Sequence, residues 1–199
     1  FAEIGERTRE ILARDAESAA MYIGNPNAHS YANSLVSGEL KKALGLKNIY
    51  SASTVDQMPA QVAAGLMFGT GLSVPIPDID RTHYFLVLGA NPVVSNGSMM
   101  TAPDMPGRLR ALKARGGRLV VVDPVRTRTA DLSDEHLRIR PGTDAFLLAA
   151  IARTIISDHL ADTGAATPHL ADEALAAITD VLAPFTPEAV ATVTAVAAD

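Results

Sequence analysis

His83-Tyr84-Phe85-Leu86-Val87-Leu88 runs straight into Gly89-Ala90-Asn91-Pro92. An apolar run with no alternating polar residue suits a strand buried on both faces, the situation of a strand in a parallel sheet. The Gly/Asn/Pro cluster ends it abruptly. A second run, Arg118-Leu119-Val120-Val121-Val122, breaks in the same way into Asp123-Pro124-Val125-Arg126-Thr127. Between them, about Asp104 to Arg115 reads as a helix closed by Gly116-Gly117. Strand, helix and strand in this order predict a parallel βαβ unit.

The pattern continues in both directions. Towards the carboxyl end, a short strand at His136–Ile139 leads into Arg140-Pro141-Gly142-Thr143-Asp144 and a helix from Thr143 to Ser157. Asp158 to Asp199 is Ala-rich and acidic, with room for two or three short helices. Towards the amino end, helices are expected at Glu3–Ala16, Tyr31–Leu44 (stopped by Gly45) and Gln57–Phe68, and short strands at Ala19–Ile23 and Asn48–Ser51. Leu72 to Asp80, with Pro75 and Pro77, is a connector. The expected fold is α/β: a Rossmann-like parallel sheet with helices on both faces. The expected division is a partial α/β lobe over 1–52 and a second lobe with a helical carboxyl-terminal stretch over 53–199.

Composition narrows the function classes. The 199 residues include no Cys, so disulfides and Cys-ligated zinc or iron–sulfur centres are excluded within this chain. A net charge of −5 argues against coating nucleic acid. No apolar stretch approaches the ~20 residues needed to span a bilayer. No export signal is visible, which makes a cytoplasmic location the expectation. The opening Phe1-Ala2-Glu3 without Met reads as the cut start of a longer polypeptide. Charge is unevenly spread: 9 of the 17 Lys and Arg residues lie between Arg108 and Arg140, against 4 acidic residues. That reads either as a solvated basic surface or as a positive field beside an anionic ligand.

Ligands of open α/β sheets sit beyond the carboxyl ends of the strands. Gly89 permits close backbone approach, and Asn91 offers both an amide donor and an acceptor, although the same residues also make a plain tight turn. Asp123 suits a ribose hydroxyl, or simply starts a turn before proline. Arg126 and Arg128 could meet a diphosphate or remain loop charges. Thr143 suits a helix N-cap and Asp144 the first turn; a carboxylate there could also pair with the N–H donors of guanine. The glycine fingerprint of ordinary NAD sites is missing, as are the phosphate loop and the serine elbow. His29, His83, His136, His159 and His169 show no metal-ligand spacing.

Taken in order, Tyr22-Ile23-Gly24-Asn25-Pro26, Ser51-Ala52-Ser53-Thr54-Val55-Asp56-Gln57-Met58-Pro59, Gly89 to Gly97, Val122-Asp123-Pro124 with Thr129-Ala130-Asp131, Pro141-Gly142-Thr143-Asp144 and Ala183 to Glu188 resemble the molybdopterin oxidoreductase family, which includes formate dehydrogenases and nitrate reductases. The resemblance implies bis-molybdopterin guanine dinucleotide carrying molybdenum or tungsten. It implies Asn91 and the Ser95-Asn96 loop near the pterin–guanosine diphosphate, Asp123 on the guanosine ribose, and Asp144 on guanine with Gly142 giving backbone access. Where family members often carry Arg after Asp-Pro, this chain has Val125, so Arg126 or Arg128 would supply the basic contact.

The resemblance also places Asp56 where relatives carry the Cys, selenocysteine, Ser or Asp that binds the metal. It would make Asp56 both the metal ligand and the residue at the catalytic centre, though an Asp there can also simply cap the following helix. A 4Fe–4S cluster is expected only outside this chain. The resemblance thus implies a fragment of a multidomain enzyme, whose partners are the remaining domains of the parent polypeptide and a small redox substrate, with the piece alone silent. Two other readings stand beside this one: a divergent NAD- or FAD-binding domain, and a non-catalytic α/β interaction module.

Overall fold

The structure, a computed structural model, describes residues 1–97, 102–162, 164 and 172–198; His169 lies outside them. By internal contacts the chain divides into two compact units, Phe1–Pro75 and Ile76–Asp199. The sequence expectation placed the change of lobe at 52–53. The division falls instead on the proline-bearing connector, so the helices that follow Ser51 group with the first unit.

The first unit contains α1 (Ala2–Arg14), β1 (Ala20–Ile23), α2 (Tyr31–Leu44), β2 (Asn48–Ser51), the single-turn α3 (Ser53–Asp56) and α4 (Met58–Phe68). β1 and β2 pair in parallel, from Ala20 opposite Asn48 to Ile23 opposite Ser51. α2 ends where the sequence places its stop: Gly45 sits at φ 62°, and its N–H meets the last-turn carbonyls of Lys41 and Lys42. The amphipathic α1 and α2 bury no residue. Among the described residues of this unit, Ala64 alone belongs to the buried hydrophobic core.

The second unit contains β3 (Tyr84–Leu88), α5 (Pro92–Ser95), α6 (Met105–Ala114), β4 (Arg118–Val122), β5 (Glu135–Leu137), α7 (Asp144–Ser157), α8 (Asp172–Leu182) and α9 (Pro187–Thr194). The strands form a parallel sheet in the order β3-β4-β5. Alternate strand side chains point to opposite faces, which explains why the apolar runs are unbroken. Val87, Leu119 and Val121 pack with Met105, Leu109 and Leu112 of α6. Val122 packs with Leu147 of α7 and with Ile139, flanked by Leu86 and Leu88. Helices thus cover both faces. Fully burying a Leu or Met side chain contributes roughly 1.5–3 kcal/mol, and Met105, Leu109, Leu112 and Leu119 are all essentially inaccessible.

Polar ties fix the turns around this core. Asp104 caps α6 by accepting from Gly107 N at 3.0 Å. The Arg115 guanidinium donates to the carbonyl oxygens of Ile79 and Thr82, fastening the segment before β3 to the end of α6. Asp134 accepts from Leu119 N at 2.7 Å and pairs with Lys113 at 2.8 Å. The Leu119 N–H, and then Lys113, hold the Asp134 carboxyl below its ordinary value against a smaller opposing effect of burial. No single helix among the described residues is long and apolar enough to cross a membrane.

Candidate functional site

Parallel register brings the three strand ends of the second unit to one edge. Leu88 lies opposite Val122, and Val122 opposite Leu137. The ladder extends one step further: Gly89 N donates to Val122 O at 2.9 Å, and Asp123 N donates to Leu137 O at 3.1 Å. Gly89, Asp123 and Arg138 are therefore the first residues beyond three adjacent strands. Gly89 takes φ 58°, a left-handed conformation with open space where a Cβ would stand, so the backbone conformation is what calls for glycine here.

Asn91 follows at once. Its Oδ1 accepts from Thr129 Oγ1 at 2.7 Å, across 38 residues of sequence. Thr129 is fully buried, and its hydroxyl oxygen accepts in turn from Val93 N at 3.2 Å. The Asn91 Nδ2 group makes no hydrogen bond among the described residues. Ser95 Oγ donates to Asn91 O at 3.3 Å. Asn96 is exposed at φ 53°, and its carbonyl accepts from Ala102 N at 2.9 Å.

Asp123 is 8% exposed. One carboxylate oxygen accepts from Val125 N at 2.8 Å, the turn expected of Asp before proline; the other has no partner among the described residues. Its backbone carbonyl takes a bond from His136 Nε2 at 2.9 Å. A carbonyl only accepts, so Nε2 carries the proton. Arg126 pairs with Asp131 at 2.8 Å, with both side chains more than half exposed. Arg128 and Arg138 are exposed and have no partner among the described residues.

The third corner differs in one respect from expectation. Thr143 stands at the N-cap of α7, but its hydroxyl caps no helix N–H; it donates to Arg140 O at 2.7 Å and braces the preceding turn. Gly142 adopts φ 78°, again with open space around it. Asp144 occupies the first turn of α7, half-buried, and its carboxylate has no partner among the described residues.

Asp56 belongs to the first unit. It lines an open pocket of about 510 Å³ with Gly24, Ser51, Ser53 and Gln57, beyond the carboxyl ends of β1 and β2. The expected cap of the helix from Gln57 does not form: Asp56 closes its own single turn, Gln57 takes the N-cap place of α4, and no side chain caps it. The Asp56 carboxylate is exposed and unpartnered among the described residues, where no three His, Asp or Glu side chains cluster as a metal site. An isolated, hard oxygen donor remains open to a ligand.

Thr129 and Arg138 escape a reading of the sequence as site residues. Thr129 sits in a loop, and nothing local ties it to Asn91. Arg138 falls inside the expected strand His136–Ile139, whereas β5 ends at Leu137 and leaves Arg138 on the edge.

Comparison with known proteins agrees with this architecture. The family model for molybdopterin oxidoreductases matches residues 1–192. The assimilatory nitrate reductase of Haloferax mediterranei is 34% identical over 165 residues, covering 82% of this chain and 21% of the relative. Formate dehydrogenase H of Escherichia coli is 25% identical over 197 residues, covering 98% of this chain and 26% of the relative. Among solved structures, acetylene hydratase from Pelobacter acetylenicus superposes with a TM-score of 0.66 at 24% identity, over 98% of this chain and 25% of that one. The chain thus spans about a quarter of the length of these relatives. With a match over nearly its whole length, and with strand ends gathered on one edge, the chain belongs to the molybdopterin oxidoreductase family.

Proposed function

We propose that this chain is the part of a molybdenum-dependent oxidoreductase that grips the guanosine diphosphate end of bis-molybdopterin guanine dinucleotide. The observation that carries the reading is the carboxyl edge of β3-β4-β5. There an amide NH2 (Asn91) and one carboxylate oxygen (Asp123) have no partner among the described residues, and the Asp144 carboxylate, in the first turn of α7, likewise has none. These are the donors and acceptors that a diphosphate, a ribose and a guanine need. Asn91, with Ser95 and Asn96, meets the diphosphate and the pterin side. Asp123 accepts from the ribose hydroxyls. Asp144 accepts two N–H bonds from guanine, and Gly142 with Thr143 shapes the approach to the base.

Arg126 remains available as the basic contact, because an exposed ion pair of this kind contributes only ~0–1 kcal/mol and exchanges readily. Arg128 and Arg138 add positive charge at the same edge. In the first unit, Asp56 supplies an oxygen ligand that suits hard, high-valent molybdenum or tungsten. When bound, the metal centre exchanges electrons with a small redox substrate; a 4Fe–4S cluster belongs to other parts of the polypeptide. The remaining domains also cover the apolar faces that the first unit leaves open.

Added GDP binds the folded state and should raise the melting temperature of the chain in a concentration-dependent way. Asp144→Ala should erase that rise. An unchanged rise in the variant would overturn the guanine assignment. Protection by ADP-ribose but not by GDP would favour a different dinucleotide.

A further inference from the structure

The amide of Asn91 is held in one orientation by a buried hydroxyl, and this limits what it can bind. Val93 N–H donates to Thr129 Oγ1, so the lone-pair side of that hydroxyl is engaged. The hydroxyl proton is free to be donated, and Thr129 Oγ1 lies 2.7 Å from Asn91 Oδ1. An NH2 in that place would instead leave the hydroxyl proton without an acceptor. Thr129 is fully buried, so its hydroxyl must find its partner within the protein. The amide therefore turns its carbonyl inward and its NH2 outward.

We infer that Thr129 is a positioning residue that makes Asn91 an obligate hydrogen-bond donor, so that the edge selects an acceptor-rich anionic group, a diphosphate, at this corner. This rests on the nucleotide reading above and adds its polarity: an amide free to flip would serve donor and acceptor atoms alike, whereas the fixed amide serves acceptors only.

The test uses the full 199-residue chain, with GDP and guanosine as separate probes in titration calorimetry. Wild type should prefer GDP. Asn91→Asp keeps the oxygen that Thr129 holds but replaces the donor with a negative oxygen; it should weaken GDP by tenfold or more while leaving guanosine nearly unchanged. Thr129→Val, which matches the shape but removes the hydroxyl, should lose about tenfold for GDP by releasing the amide. Thr129→Ser keeps the hydroxyl and should restore GDP affinity to within about threefold of wild type. A purely structural threonine would lower the melting temperature without changing the ratio of GDP to guanosine affinity.

Should Thr129→Val not fold, the Ser variant decides: a folded Thr129→Ser chain that has lost its GDP preference overturns the proposal. An unchanged ratio in Thr129→Val, with Asn91→Asp impaired, overturns the positioning role and leaves the nucleotide reading standing. Unchanged GDP binding in Asn91→Asp overturns the donor assignment. No GDP binding by wild type overturns both readings together.

Discussion

Residues 1–75 and residues 76–199 are written in the same vocabulary of short parallel strands and amphipathic helices, but they bury very different things. In the second unit Leu112, Leu119 and Val121 are completely enclosed between a helix and a sheet. In the first, Leu35 on α2 and Leu66 on α4 are 74% and 84% exposed, and Ile4 on α1 keeps its apolar stripe open. A two-stranded parallel sheet cannot shield both its faces and its edges. The difference shows that hydrophobic patterning specifies which face of an element is to be covered, and leaves open whether the cover lies nearby in the chain.

The sharpest way to break this contrast is truncation of a large side chain in each unit. Leu112→Ala should destabilise the second unit by about 3–5 kcal/mol in denaturant unfolding, because a cavity opens in a closed core. Leu66→Ala should stay within about 0.5 kcal/mol, as expected of an exposed position. Equal losses would contradict the assignment of a core to one unit only.

Overfilling the same core should cost less. A Cβ at Gly117 would stand 2.3 Å from Leu112 Cδ1 and 2.8 Å from the Leu112 carbonyl oxygen. Gly117→Ala should therefore lose about 1–3 kcal/mol, read from the shift in thermal midpoint. Gly38→Ala in α2, where a Cβ meets nothing, should be neutral or slightly stabilising. Reversal of that order would show that Leu112 is free to move aside.

The smallest effect concerns acid. The folded Asp134 carboxyl is held below its ordinary value by the Leu119 N–H and Lys113. A lowered folded pKa means that its contribution is full above the unfolded pKa and is lost as pH falls through the folded one. Asp134→Asn should flatten the acid limb of the second unit's stability below about pH 4 and leave the first unit's acid response unchanged. An unaltered acid limb would remove Asp134 from the account.

Much of this fold could be read from residues alone. β3 and β4 begin and end within one residue of expectation because burial on both sides produces long unbroken apolar runs. α2 was legible from its glycine stop. The single turns at Ser53–Asp56 and Pro92–Ser95 were not, because four residues carry no periodicity. The same limit applies to side chains. Thr143 has the right identity for a cap, but its hydroxyl prefers the nearby Arg140 carbonyl. Arg126 reads as a free cation until Asp131, five residues on, is folded beside it. The Asn91–Thr129 bond depends on two loops meeting, and no local pattern reports that.

The in-register pairing of β3 with β4 has a consequence for how this stretch of chain can change length. One residue added inside β4 would turn Val121 towards the partners of Val122, and Val122 towards α6. It would also swing Asp123 to the opposite side of the sheet. Spacing between Leu119 and Asp123 is thus doubly constrained, once by greasy contacts and once by the polar corner they deliver. Insertions and deletions should be tolerated at the exposed Asp131–Leu132, beyond the buried Thr129 and Ala130, long before they are tolerated in the five residues Leu119–Asp123.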